Sequence, residues 1–73
     1  TQDVRISYHV LVYSRNAIRY YDKFGVDQYT RMYIESSLKQ VEEVLNKDEY
    51  MYIKIKKQLQ SLRRELTEIK SII

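Results

Sequence analysis

The stretch VRISYHVLVYSRNAIRYYDKF, residues 4–24, decides the fold. Two periods compete in it. Val4, Ile6, Tyr8, Val10 and Val12 alternate with Arg5, Ser7 and His9, the pattern of a half-buried strand built from residue types that suit one. Ile6, Val10, Tyr13, Ala17, Tyr20 and Phe24 instead step by 4, 3, 4, 3 and 4, which places them in one stripe along a helix. Leu11 and Tyr13 break the alternation, whereas the helical stripe runs without a fault to Phe24, widened by Val4, Leu11, Ile18 and Tyr21. Length favours the helix. The spacing predicts a first helix over about 3–24 with the Ile6 to Phe24 stripe turned inward.

Gly25 follows Phe24 where a left-handed residue ends a helix at least cost, and Asp27 is placed to accept the free N–H groups of the next one. From there Ile34, Leu38, Val41 and Leu45 step by 4, 3 and 4, with Val44 beside them, predicting a second helix over about 27–45. Asn46, Lys47 and Asp48 are expected to form a short turn. Tyr52, Ile55, Leu59, Leu62, Leu66, Ile69 and Ile73 then make an uninterrupted heptad stripe, predicting a third helix over about 48–72. The second and third stripes share one register, with Asp48 at the joining position. A single rod from about 28 to 73, roughly 65–70 Å long at 1.5 Å per residue, is therefore the rival to the turn. The polar run of Asn46, Lys47, Asp48 and Glu49 favours the turn. The expected fold class is all-α, a three-helix bundle or long helical hairpin with coiled-coil-like heptad packing. The 73 residues form one small domain, free-standing or a fragment of a larger protein.

Composition narrows the function. With no Cys there is no disulfide framework, thiolate nucleophile or Cys-based metal site. The redox compartment stays open, an intracellular setting being expected over a secreted one. The single Gly rules out a phosphate-cradling loop, and no nucleophile-elbow, P-loop or zincin signature is present. His9 has no second His or well-spaced carboxylate with which to share a metal. Glu42 and Glu43 point about 100° apart on a helix, and Glu65 and Glu68 read as a solvated face. No enzymatic site, metal or cofactor is expected, no small-molecule substrate is evident, and no run is long enough to span a membrane.

The net charge of +3 is unevenly distributed: residues 1–33 carry +2, residues 34–53 carry −3 and residues 54–73 carry +4. A hairpin of the second and third helices would set opposite charges beside each other, each exposed pair contributing about 0.2–1 kcal/mol. Lys54, Lys56, Lys57, Arg63 and Arg64 lie on neighbouring stripes of the third helix and are the candidate phosphate contacts, with Arg15, Arg19 and Lys23 as a second patch. Read plainly, the same residues are a solvated flank whose stems cover apolar surface.

Eight tyrosines are the other departure from ordinary composition. Tyr13, Tyr20 and Tyr52 fall on the apolar stripes, whereas Tyr21, Tyr29, Tyr33 and Tyr50 cannot all be interior. Tyr and Arg are what protein interfaces select, so Tyr21, Tyr29, Tyr33 and Arg31 near the Gly25 turn are the candidate partner patch. A core this small usually needs a disulfide, a metal or a partner. Association is the staple left. The seam Ile55, Leu59, Leu62, Leu66, Ile69 and Ile73 outruns the second helix and is expected to be covered by the first helix, another copy or missing sequence. The expected function is a non-catalytic helical protein–protein interaction or oligomerisation module, its partner another protein or itself as a homo-oligomer. The alternative is a small basic nucleic-acid-binding or regulatory protein contacting phosphates through the third helix.

Overall fold

A computed structural model of the chain describes residues 2–47 and 53–73. It is all-α, with helices α1 (Gln2–Phe24), α2 (Gln28–Lys47) and α3 (Ile53–Ile72), each packed against the other two. Residues 4–13 are helical, as the uninterrupted stripe required. Of the residues that alternate, Val10 is buried whereas Ile6, Tyr8 and Val12 are exposed, so the strand face is not the face the fold buries. The molecule measures 36 × 18 × 16 Å, which excludes the continuous rod.

The first connection follows from its sequence. Gly25 sits at φ 73°, the left-handed conformation, and its N–H closes the end of α1 on the Tyr21 carbonyl at 2.8 Å. Asp27 Oδ1 accepts the Thr30 N–H at 2.7 Å and so caps α2. Thr30 Oγ1 donates back to the Gly25 carbonyl at 2.7 Å, tying the first turn of α2 to the end of α1. The second connection departs from expectation. Asn46 and Lys47 belong to α2, so the turn expected at residues 46–48 does not begin there. Lys47 in the last turn of the helix faces its partial negative charge, a favourable place for a cation. Asp48, Tyr50 and Tyr52, and the expected start of the third helix at residue 48, lie outside the described residues.

The core is one cluster: Val10, Leu11 and Ala17 from α1, Ile34, Leu38 and Val41 from α2, and Leu59, Leu62, Leu66 and Ile69 from α3. The stripes of α2 and α3 are those the spacing predicted. That of α1 is corrected. Ile6 is 53% exposed and Phe24 55%, while the buried face runs through Ser7, Val10, Leu11, Ser14 and Ala17, with Ile18 and Tyr21 packed against the cluster. The reason is size. Small side chains on the buried line let helices approach, and the distance between packed helices is set by the side chains at the contact. Ser7 and Ser14 are seven apart on α1, as are the buried Thr30 and Ser37 on α2. A line bearing Tyr13 and Tyr20 would hold the helices further apart.

Candidate functional site

The rotation of α1 turns its aromatic stripe to the edge of the bundle. Tyr13 and Tyr20 of α1 and Tyr29, Met32, Tyr33 and Ser36 of α2 line a shallow groove to which α3 contributes nothing. Tyr33 is its centre, with ring centroids 5.0 Å from Tyr13 and 5.8 Å from Tyr20. Phe24 extends the row, 4.6 Å from Tyr20, and Lys23 Nζ stands 5.3 Å from the Phe24 ring centroid. These are the tilted separations aromatic pairs prefer, and the last is a cation–π contact. The Tyr13 hydroxyl donates to Ser36 Oγ at 3.4 Å, and Gln40 Nε2 donates to the same oxygen at 3.2 Å. The two helices are joined at one end of the groove by the Tyr13–Ser36 contact, which Gln40 supports from within α2, and along its floor by rings.

The floor is half-buried and the lip is not. Tyr29 is 74% exposed and Met32 61%. Burial pushes the Tyr33 phenol above its ordinary value, reinforced by the neighbouring Tyr13 phenol. None of the lining residues carries a formal charge at neutral pH. The charges stand outside. On the period of α1, the row His9, Asn16 and Lys23 runs beside Tyr13 and Tyr20, followed by the row Arg5, Val12 and Arg19, and all six are exposed. On α2, Lys39 is seven residues beyond Met32 and exposed, while Glu43 is seven beyond Ser36, about 10 Å past it along the helix.

The expected partner patch therefore divides. Tyr29 and Tyr33 enter the groove, Tyr21 packs against the core, and Arg31 is exposed without lining the groove. Met32 lines the groove and Phe24 extends its aromatic row, and neither belongs to the expected patch. The sequence does carry a signal for this: Ser7 and Ser14 offer a second helical line at seven-residue spacing, one that a count of apolar residues passes over.

The α3 seam is spent inside the chain. Leu59 and Leu66 are fully buried, Leu62 and Ile69 nearly so, and Ile55 and Ile73 pack partly against the same cluster. Of the basic cluster, Lys54, Lys57, Arg63 and Arg64 are exposed and Lys56 is half-buried. Lys57, Arg63 and Arg64 lie with Gln60, Ser61, Thr67 and Glu68 along one helix, which makes a ridge that includes an acidic residue. His9 is exposed, and among the described residues no three His, Cys, Asp or Glu side chains converge as a metal would need. Among the same residues no helix is long and apolar enough to cross a membrane.

Comparison with protein-family models, with curated proteins and with solved structures gives no match, so the reading of this surface rests on its own geometry.

Proposed function

We propose that the chain is a non-catalytic protein–protein interaction module whose contact surface is the groove between α1 and α2. The observation that carries this is the fate of the α1 stripe. Tyr13, Tyr20 and Phe24 form an aromatic row that the chain's own core leaves at the edge, joined there by Tyr29 and Met32, and Ile6 is exposed further along the same face of α1. Interface cores are enriched in Tyr, Phe and Met and depleted of charge, with polar and charged residues at the rim. The groove and its surroundings have that composition. The α3 seam supplies the bundle's own core, so the reading does not require a second copy to complete the fold.

The test is solution mass by light scattering behind a sizing column, at low and at high salt, on the chain and on Tyr29→Glu. A single 8.9 kDa species at both salts is expected, with the groove free for another protein. A dimer that persists in high salt and is broken by Tyr29→Glu would make the occupant a second copy.

A second reading rests on the exposed Lys54, Lys57, Arg63 and Arg64 of α3. A cationic stripe of this kind binds nucleic acid through phosphates, with steep salt dependence and little sequence preference. Glu68 among these residues, and the ridge they form, weigh against it. Titration with single-stranded RNA and duplex DNA at 50 mM salt, against Lys57→Glu with Arg64→Glu, separates the two.

A further inference from the structure

Taking the groove as a protein-docking surface, we infer that its occupant is an amphipathic helix of about three turns with an acidic flank. Three observations carry this. The first is shape. From Tyr13 to Phe24 the aromatic row covers eleven helical steps, about 16 Å at 1.5 Å per residue, which is three turns of a partner helix. The second is architecture. α1 and α2 already seat one helix, α3, and the groove is a second trough of the same antiparallel pair to which α3 does not contribute. A helix laid there packs as helices pack in bundles, ridges of side chains entering the trough, with anchors at i, i+3 or i+4, and i+7.

The third is charge, and it sets the partner's chemistry. The exposed rim residues on α1 are Arg5, His9, Arg19 and Lys23, and Lys39 stands on the α2 side. The acidic group beside the groove is Glu35 on the α2 side, three residues beyond Met32 and four before Lys39, and among the described residues none stands on the α1 border. Asp27 is engaged in capping α2, Glu43 lies beyond the Ser36 end, and Asp22 is two residues from Tyr20 and therefore about 200° around the helix from it. Lys23 is held against the Phe24 ring at the turn end of the row, a cation already placed where a partner carboxylate would arrive. A neutral floor with a cationic border on the α1 side and a mixed one on α2 favours a partner helix whose acidic flank lies along α1.

The experiment is selection from a display library of 18-residue helices with a fixed Leu-based apolar face and randomised flanks. The full chain is the bait and Met32→Glu the counter-bait. Met32 is 61% exposed, so this change leaves the fold intact, and a circular dichroism melt of the variant checks that. Winners with net negative flanks are expected, binding the chain at least ten-fold more tightly than their Lys-flanked twins. They should lose at least ten-fold on Met32→Glu or Tyr29→Glu and several-fold between 50 and 500 mM salt, while Lys57→Glu with Arg64→Glu on α3 changes little. Neutral or basic winners that still lose binding on Met32→Glu would overturn the acidic helix and leave the docking groove standing. Winners insensitive to both groove variants, or no winners at all, would overturn the inference, and the former would also displace the groove as the contact surface. Direct binding of single-stranded RNA to the chain, competed by the acidic helix and abolished by Met32→Glu, would reassign the groove to nucleic acid.

Discussion

The rings of Tyr13 and Tyr33 meet between α1 and α2 with centroids 5.0 Å apart and planes tilted by 59°. This pair closes the floor of the groove and explains why the Tyr33 proton is held more tightly than an ordinary phenol's. Burial disfavours the phenolate, and a charge on Tyr13 would disfavour it further.

The pH dependence has a definite sign. A phenol whose folded-state pKa lies above its unfolded value of 10.0 contributes stability fully present below pH 10, and lost as pH rises through the higher folded value. Alkaline titration followed by tyrosinate absorbance should show a late-ionising component that Tyr33→Phe removes. The Tyr33→Phe variant should also keep its helicity to higher pH than the parent chain.

Three buried hydroxyls, Ser7 Oγ, Ser14 Oγ and Ser37 Oγ, have no hydrogen-bond partner among the described residues. A buried unsatisfied polar group is destabilising, and Ala is also the better helix former. Ser14→Ala and Ser37→Ala should each stabilise the chain by about 1 kcal/mol, raising the melting temperature by about 4–8 °C in a domain of this size. Ser14→Leu should do the reverse, because the buried line has no room for the added volume.

The α1 to α2 connection should be sensitive at two positions for two reasons. A Cβ added at Gly25 would meet no atom within 4 Å, so Gly25→Ala costs about 1 kcal/mol through backbone strain alone. Asp27→Ala removes the cap on Thr30 N–H and should cost about 1 kcal/mol as well. Urea melts of each single variant and of the pair measure both, and a neutral Gly25→Ala would contradict the left-handed turn.

Core and groove should separate cleanly under mutation. Leu66 is fully buried, so Leu66→Ala should destabilise by about 2–5 kcal/mol and Leu66→Lys should unfold the chain. Met32→Glu and Tyr29→Glu alter exposed side chains and should shift stability by no more than about 0.5 kcal/mol. Thermal melts alongside the mass measurement decide it. Loss of helicity in Leu66→Lys is the expected result, and a helical monomer released from a larger species would show that the seam joins copies instead.

The legibility of the sequence differed from helix to helix for a physical reason. On α3 the apolar residues Leu59, Leu62, Leu66 and Ile69 occupy one line, and every position around them is polar or charged except near the ends. Only one face can be buried, so spacing suffices. On α2 Ile34, Leu38 and Val41 make the apolar line that continues along the helix, with Tyr29, Met32 and Tyr33 confined to its first half. On α1 apolar residues surround more than half the helix, and two lines about a third of a turn apart both fit the helical period. The candidate site inherits this ambiguity: Tyr29 and Tyr33 stand off the inward line of α2, whereas Ile6 and Phe24 fit the spacing of a core stripe and are exposed.

Local chemistry was therefore settled by the chain itself. Periodicity made three helices, and the conformational freedom of Gly25 with the carboxylate of Asp27 fixed where the first ends and the second begins. The absence of Cys and the lone Gly excluded whole classes of site. Which line of α1 faces inward was decided only by packing, because it depends on how closely α1 can approach its neighbours. The fully buried Ser14 and Ala17 permit the closer fit, and the bulkier Tyr13, Tyr20 and Phe24 are left at the edge to form a groove with α2.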